Sequence, residues 1–169
     1  MTRRLTATVE RWPVAGAFVI ARGAKTHVDV VVAEIAEDGL VGRGEATPIY
    51  YHGETAEGVA GAVRAMAPAV ANRISRLDLL AEMPRGAARN ALDCALWSLE
   101  AEQLGRPVWA LAGLPPPRPL VTAYTLSLGE PAAMEAAARR ATAYPLLKLK
   151  LAGEGDRERV AAVRRGAPD

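Results

Sequence analysis

Residues 5–11 alternate loosely, with Leu5, Ala7 and Val9 on one side, and a β-branched run follows from Thr26 to Ile35. Asp38-Gly39 separates that run from Leu40–Glu45, the pattern of a hairpin closed by a tight turn. Together with the earlier strand these segments predict a small antiparallel meander. Residues 15–25 carry Gly16, Arg22 and Gly23 with little periodicity and read as a surface loop, and residues 44–53 (GEATPIYYHG) read as a second. From Glu54 the period becomes helical: Thr55 suits an N-cap, Val59, Val63 and Met66 share a face, and Pro68 bends or ends the run. A longer helix is predicted from about Gly86 to Leu104. Its apolar positions are Ala88, Leu92, Ala95, Leu96 and Leu99, Gly105 sits where a C′ glycine belongs, and Pro107 follows.

Arg118 lies between Pro115-Pro116-Pro117 and Pro119, a stiff extended linker that divides a first domain over 1–116 from a second over 117–169. Beyond it the chain predicts a strand over Leu120–Leu128, an Ala-rich helix over Pro131–Thr142 with proline in its first turn, a strand over Leu146–Leu151 and a helix over Asp156–Arg165. Strand, helix, strand, helix at this spacing is the βαβ grammar of a parallel sheet. The sequence ends at Pro168-Asp169, where a third strand is expected.

The 169 residues are 50% hydrophobic and 24% charged, which excludes global disorder. Lys and Arg total 21 against 19 Asp and Glu, and a net charge of +2 makes no electrostatic case for nucleic acid or an anionic membrane. The longest run free of these charged residues is 11, too short for a membrane-spanning helix, and Glu10 and Arg11 interrupt the basic start before a signal-peptide core forms. A cytoplasmic protein is expected. With Cys94 the only cysteine and His27 and His52 the only histidines, a disulfide, a cysteine zinc cluster and a His-rich metal site are excluded, so any metal is held by oxygen.

The segment Leu146-Leu147-Lys148-Leu149-Lys150-Leu151 carries the most chemistry. Alternation sends Leu147, Leu149 and Leu151 to one face and Lys148 with Lys150 to the other, about 7 Å apart for two residues of strand rise. Like charges so close lower each other's proton affinity, which is how a lysine becomes a base near neutral pH. On the residues alone two readings stay open: a polar cavity lined by both lysines, or an edge strand whose lysines guard against aggregation. Glu154, Asp156 and Glu158 read as an acidic run complementing a helix N-terminus. Cys94, in an Ala-rich helix without a basic neighbour, reads as an inert core thiol. Gly42-Arg43-Gly44 ends a strand without opening a helix and is no phosphate loop.

The segments GRGEATP (42–48), ARNALDCALWSLEAEQLGRPVWALAGL (88–114), TAYTLSL (122–128) and LLKLKL (146–151) resemble, in that order, the enolase superfamily in its muconate-lactonizing branch, and within it most of all the dipeptide epimerases. The resemblance implies an N-terminal α+β capping domain, an antiparallel meander plus helices, followed by the first two βα units of an incomplete (β/α) barrel. It implies a Mg²⁺-dependent epimerase that abstracts the α-proton of an L-Ala-Glu-type dipeptide through an enediolate. Lys150 is then the base and Lys148 lies near the substrate carboxylate, helping to keep Lys150 deprotonated. The three Mg²⁺ carboxylates, on the third to fifth barrel strands, and a second base on the sixth fall beyond Asp169.

The same resemblance places Arg22 at the distal end of the substrate, where a guanidinium suits a Glu carboxylate. Thr125 falls on the pocket floor and Tyr50, Tyr51 and His52 on a closing loop. A solvated loop charge at Arg22 and a packed strand threonine at Thr125 remain open alternatives. Glu45 and Asp93 read as structural, through hydrogen bonding and through a salt bridge or cap respectively, and Trp97 and Trp109 as packing between cap and barrel. Muconate cycloisomerase and o-succinylbenzoate synthase are alternative activities of the superfamily. The other alternative is a non-catalytic fragment. A homo-oligomer, or dependence on a separate C-terminal half, is expected, with a small dipeptide as the ligand.

Overall fold

A computed structural model describes residues 3–168; Met1, Thr2 and Asp169, the outer ends of the two expected domains, lie outside the described residues. The chain forms two compact units, the residues up to Trp12 with Val28–Pro117, and Pro13–His27 with Arg118 onward.

Three strands, β1 (Arg4–Ile20), β2 (Gly23–Glu37) and β3 (Leu40–Ala46), lie side by side in chain order. At the Asp38-Gly39 turn both residues are left-handed, φ 52° and 83°, the two-residue geometry whose twist matches the flanking strands. The surface loop expected over 15–25 is instead the far end of the β1–β2 hairpin, turning at Ala21-Arg22 and belonging to the second unit. Main-chain pairing sustains the strands there without apolar alternation, and Gly16, φ 76°, absorbs a local irregularity.

The helices of the first unit are α1 (Ala56–Ala65), α2 (Ala67–Ala71), α3 (Arg76–Glu82), α4 (Ala87–Leu104) and the short α5 (Val108–Leu111). Thr55 caps α1 by accepting from the Gly58 amide at 3.1 Å, and Pro68, in the first turn of α2, ends the α1 run as expected. Sequence reading missed α3, although Ser75, whose hydroxyl accepts from the Asp78 amide at 3.1 Å, is its N-cap signal. Gly105, φ 58°, ends α4, and the Arg106 amide donates to Ala101 O at 3.1 Å.

Burial in β3 alternates strictly: Gly42, Gly44 and Ala46 are buried, and Val41, Arg43 and Glu45 are exposed. In register, Gly42, Gly44 and Ala46 oppose Ile35, Ala33 and Val31 of β2. The buried row of α4 lies against this face. A Cβ at Gly44 would stand 2.0 Å from Ala91 O, and one at Gly42 2.3 Å from Ala95 O. Gly42 and Gly44 are thus a seat for a helix, in mid-strand, and Ala91, Ala95 and Leu99 pack into one core with Val31, Ile35, Val63 and Leu79.

At the end of β2 the Glu37 carboxylate is 1% exposed. Its Oε2 accepts from Arg3 Nε at 2.9 Å and Gln103 Nε2 at 2.6 Å, and Oε1 forms an ion pair with Arg73 that lacks hydrogen-bond geometry. The Arg3 hydrogen bond foremost, joined by Gln103 and the Arg73 charge, outweighs burial and holds this carboxyl below the usual glutamate value of 4.5.

In the second unit, β4 (Ala123–Leu126) and β5 (Leu146–Leu149) pair in parallel, Ala123 with Leu146 through Leu126 with Leu149, and α6 (Pro131–Arg140) and α7 (Asp156–Gly166) pack together beside them. Leu126, Met134, Ala138, Ala141 and Val163 form their core, with Leu147 and Leu149 against it. Both strands are shorter than expected. Leu120 and Val121 are exposed and unpaired in the ladder, because β4 extends only as far as β5 offers partners. Leu151, expected on the apolar face, is exposed because the chain leaves the strand and turns at Gly153 and Gly155, both at positive φ.

Replacing Gly44 with Ala should destabilise the fold by about 3 kcal/mol, since neither the β3 backbone nor the Ala91 carbonyl can yield. Urea unfolding should show a lower midpoint with an unchanged slope. Glu37→Gln should cost about 2 kcal/mol at neutral pH. Because the folded carboxyl binds its proton more weakly than the unfolded one, this stabilisation is complete above the ordinary glutamate range. It should fade as pH falls through the depressed folded value, and the variant's unfolding curve should lack that fall.

Candidate active site

The β4–β5 ladder sets Thr125 directly opposite Lys148. Thr125 is half-buried and Lys148 is exposed. Lys150 lies one residue past β5, yet its amide donates to Leu126 O at 3.2 Å, so the ladder continues to it. It is half-buried, and its Nζ stands over the Phe18 ring, 5.6 Å from the centroid. The two lysines therefore have different settings: one at the solvent face of a strand, the other against an aromatic from the hairpin tip.

That tip is fastened inside the same unit. Ser127 Oγ accepts from Val19 N at 3.3 Å and donates to Ala17 O at 3.2 Å, and the Leu128 amide donates to Val19 O at 3.0 Å. Arg22, at the turn of this hairpin, is exposed. Arg22, Thr125, Lys148 and Lys150 thus belong to one compact unit, whereas Tyr50, Tyr51 and His52 belong to the other. Sequence reading passed over Phe18, which stood in an apparent loop. The signal available was its being the only phenylalanine of the chain.

Tyr50, Tyr51 and His52 form one 3-10 turn. The tyrosine rings meet edge to face at 5.2 Å and are 55% and 61% exposed, and Tyr51 lies 4.8 Å from the His52 ring. Glu54 anchors the turn. Its Oε2 accepts from the Ile49 amide and its Oε1 from the Ala87 amide, each at 2.7 Å, so one carboxylate ties the base of the turn to the start of α4. The Ala87 amide foremost, then that of Ile49, holds this carboxyl below the ordinary glutamate range.

Other expected residues have different settings. Asp156 opens α7, and its carboxylate accepts from the Ala152 and Gly153 amides at 3.0 and 2.7 Å and pairs with Arg159 at 3.0 Å. Among the described residues no three His, Cys, Asp or Glu side chains are grouped to hold a metal ion. The side chain of Glu45 is exposed and its backbone carbonyl takes the structural hydrogen bond, from Asn90 Nδ2 at 3.2 Å. Asp93 is half-buried, and the described residues provide neither the salt bridge nor the cap expected of it. Cys94 is exposed rather than in the core, one position off the buried row of α4. Partial desolvation, and then the Asp93 charge, push its thiol up, away from the reactive thiolate. Trp97 carries the Arg76 guanidinium 3.3 Å from its ring centre, a contact within the first unit.

An antiparallel sheet under a long helix, leading into parallel βα units with a lysine at the end of the second strand, defines a capping domain joined to the start of a (β/α) barrel. The mandelate racemase / muconate lactonizing enzyme N-terminal domain matches residues 2–113, and the chain belongs to that family. An L-Ala-D/L-Glu epimerase of Escherichia coli (strain K12) is 38% identical over 162 residues, 95% of this chain and 50% of that protein. A solved enolase-family protein of Agrobacterium tumefaciens, with homology to dipeptide epimerases and with bound sodium and L-Ala-L-Glu, superimposes with a TM-score of 0.94 at 46% identity, covering 98% of this chain and 51% of the other. A dipeptide epimerase of Enterococcus faecalis V583, complexed with Mg and L-Leu-L-Tyr, is similar at a TM-score of 0.85 and 26% identity, over 98% and 51% of the two chains. The chain spans about half the length of the relatives it matches. Among the described residues no helix is long and apolar enough to cross a membrane.

Removing the Glu54 carboxylate should free the turn without unfolding the unit. In Glu54→Ala the Ile49 and Ala87 amides lose their acceptor, and their hydrogen-exchange protection should vanish while the core amides of α4 keep theirs. The global cost should be about 2 kcal/mol.

Proposed function

We propose that this chain is the N-terminal part of a Mg²⁺-dependent, cytoplasmic epimerase acting on an L-Ala-Glu-type dipeptide. The observation that carries this reading is Lys150, half-buried at the end of β5 and covered by the hairpin that bears Arg22, in a chain so similar to dipeptide epimerases. A lysine Nζ in its amine form removes the α-proton, the C–H electron pair moves into the substrate carboxylate to give an enediolate, and the proton stays on Nζ. Lys148 contributes positive charge near the carboxylate, and Arg22 a bidentate partner for the distal acid. Thr125 lines the pocket floor, and Tyr50, Tyr51 and His52 form the lid. Mg²⁺ supplies charge stabilisation to such chemistry when bound. The described residues offer no donor set that fits it, so no step here is routed through the ion.

The exposed Leu146, Leu151 and Val160 favour completion of the barrel by further strands, in the same polypeptide or in a partner half, or association of copies. Without that completion the chain is a non-catalytic fragment. Muconate cycloisomerase and o-succinylbenzoate synthase chemistry would use the same lysines on substrates that lack an amine.

The test uses the protein expressed from its own gene, its length fixed by intact mass, with Mg²⁺ and L-Ala-L-Glu in deuterated water. Proton NMR should show α-deuteration of the Glu residue, and Lys150→Met should slow it by about 10²–10⁴-fold. Arg22→Ala should raise KM for the dipeptide far more than for a cycloisomerase substrate. Undiminished exchange in Lys150→Met overturns the assignment of the base, and turnover of a muconate in place of the dipeptide overturns the epimerase.

A further inference from the structure

Resting on the epimerase reading, we propose that Phe18 and Ser127 are positioning residues for Lys150. In this arrangement the hairpin tip sets the aim of the base as well as covering it.

Three observations carry this. First, the Ser127 hydroxyl brackets Phe18, accepting from the residue after it and donating to the carbonyl before it, and the Leu128 amide adds a third bond to Val19 O. A side chain whose backbone is held on both sides has little freedom of approach. Second, Ser127 and Leu128 directly follow β4, whose last residue, Leu126, accepts the Lys150 amide. The strand end that anchors the lysine backbone therefore also anchors the aromatic, and the two cannot drift independently. Third, Nζ stands over the ring at 5.6 Å, inside the range at which an aromatic quadrupole attracts the ammonium that Lys150 becomes once it has taken the proton. A lysine side chain has four rotatable bonds, and an attractive face at its tip selects among its rotamers. A base that must meet a carbon-bound proton gains from that selection, because misplacement of a reacting group by 1 Å can cost about 100-fold in rate.

The chain has one phenylalanine and three lysines, so aromatic and lysine ε-methylene labels give a spectrum simple enough to read. In the 169-residue chain an NOE should join the Phe18 ring to the Lys150 ε-methylene, whose protons the ring should displace upfield; Lys150→Arg assigns the signal. Phe18→Leu, which keeps the apolar bulk, should abolish the displacement, and Phe18→Tyr should restore it. Ser127→Ala should reduce it, and Ser127→Thr should keep it. Absence of the NOE in the wild-type chain, or displacement unaltered in Phe18→Leu, overturns the proposal.

In the gene product at its own length, Phe18→Leu and Ser127→Ala should each lower kcat for α-proton exchange by about 10-fold to 100-fold, with a smaller change in KM and with rescue by Phe18→Tyr. If the variants change KM alone, the tip serves only substrate binding and the positioning role fails. If the wild-type protein exchanges no α-proton while the NMR signature is present, the epimerase reading fails and the Phe18–Lys150 geometry stands apart from it.

Discussion

Two glycines in mid-strand decide how closely the longest helix can approach the sheet. At Gly42 and Gly44 the backbone of β3 lies so near that of α4 that any side chain would enter the Ala91 and Ala95 carbonyls. Close approach lets the small residues of α4 and the branched residues of β2 fill one core. At the start of that helix the Glu54 carboxylate accepts from the Ala87 amide as well as from Ile49, so one side chain ties the turn bearing Tyr50, Tyr51 and His52 to α4.

The second unit has a similar logic on a smaller scale. Four residues of parallel ladder and a shared apolar core hold β4 and β5, and just beyond the ladder the backbone polar groups find other partners. Leu126 O takes the Lys150 amide, while Ser127 and Leu128 take the hairpin tip. The polar chemistry of the unit thus collects at the strand ends, where backbone groups are no longer used up by the sheet. In a (β/α) barrel this is the face on which active sites are built.

Charged groups are treated differently in the two kinds of position. Glu37 is nearly inaccessible and is surrounded by Arg3, Arg73 and Gln103, so it serves cohesion. Lys148 and Arg22 remain exposed and Lys150 half-buried, in contrast to the enclosed Glu37. Asp156 stands at the start of α7, as its place in the acidic run led one to expect. Its oxygens are already engaged by two backbone amides and Arg159.

The sequence by itself determined whatever rests on local chemistry. Asp38-Gly39 made its turn because both residues tolerate left-handed backbone, Thr55 capped its helix, and Pro68 ended one. The K-x-K strand and its pairing into a parallel ladder were equally legible from period and spacing. Tertiary structure alone decided the rest. Residues 15–25 look like a loop because strands held by main-chain bonds away from a core need no alternation, so nothing in the pattern revealed that the tip joins the second unit and brings Phe18 to Lys150. Cys94 and Asp93 sit in an alanine-rich helix whose buried side is set by the glycine seat opposite, a partner more than forty residues away in sequence. Spacing along a chain records which side chains share a face. Which faces meet depends on contacts between distant segments, and those exist only once the backbone has closed around them.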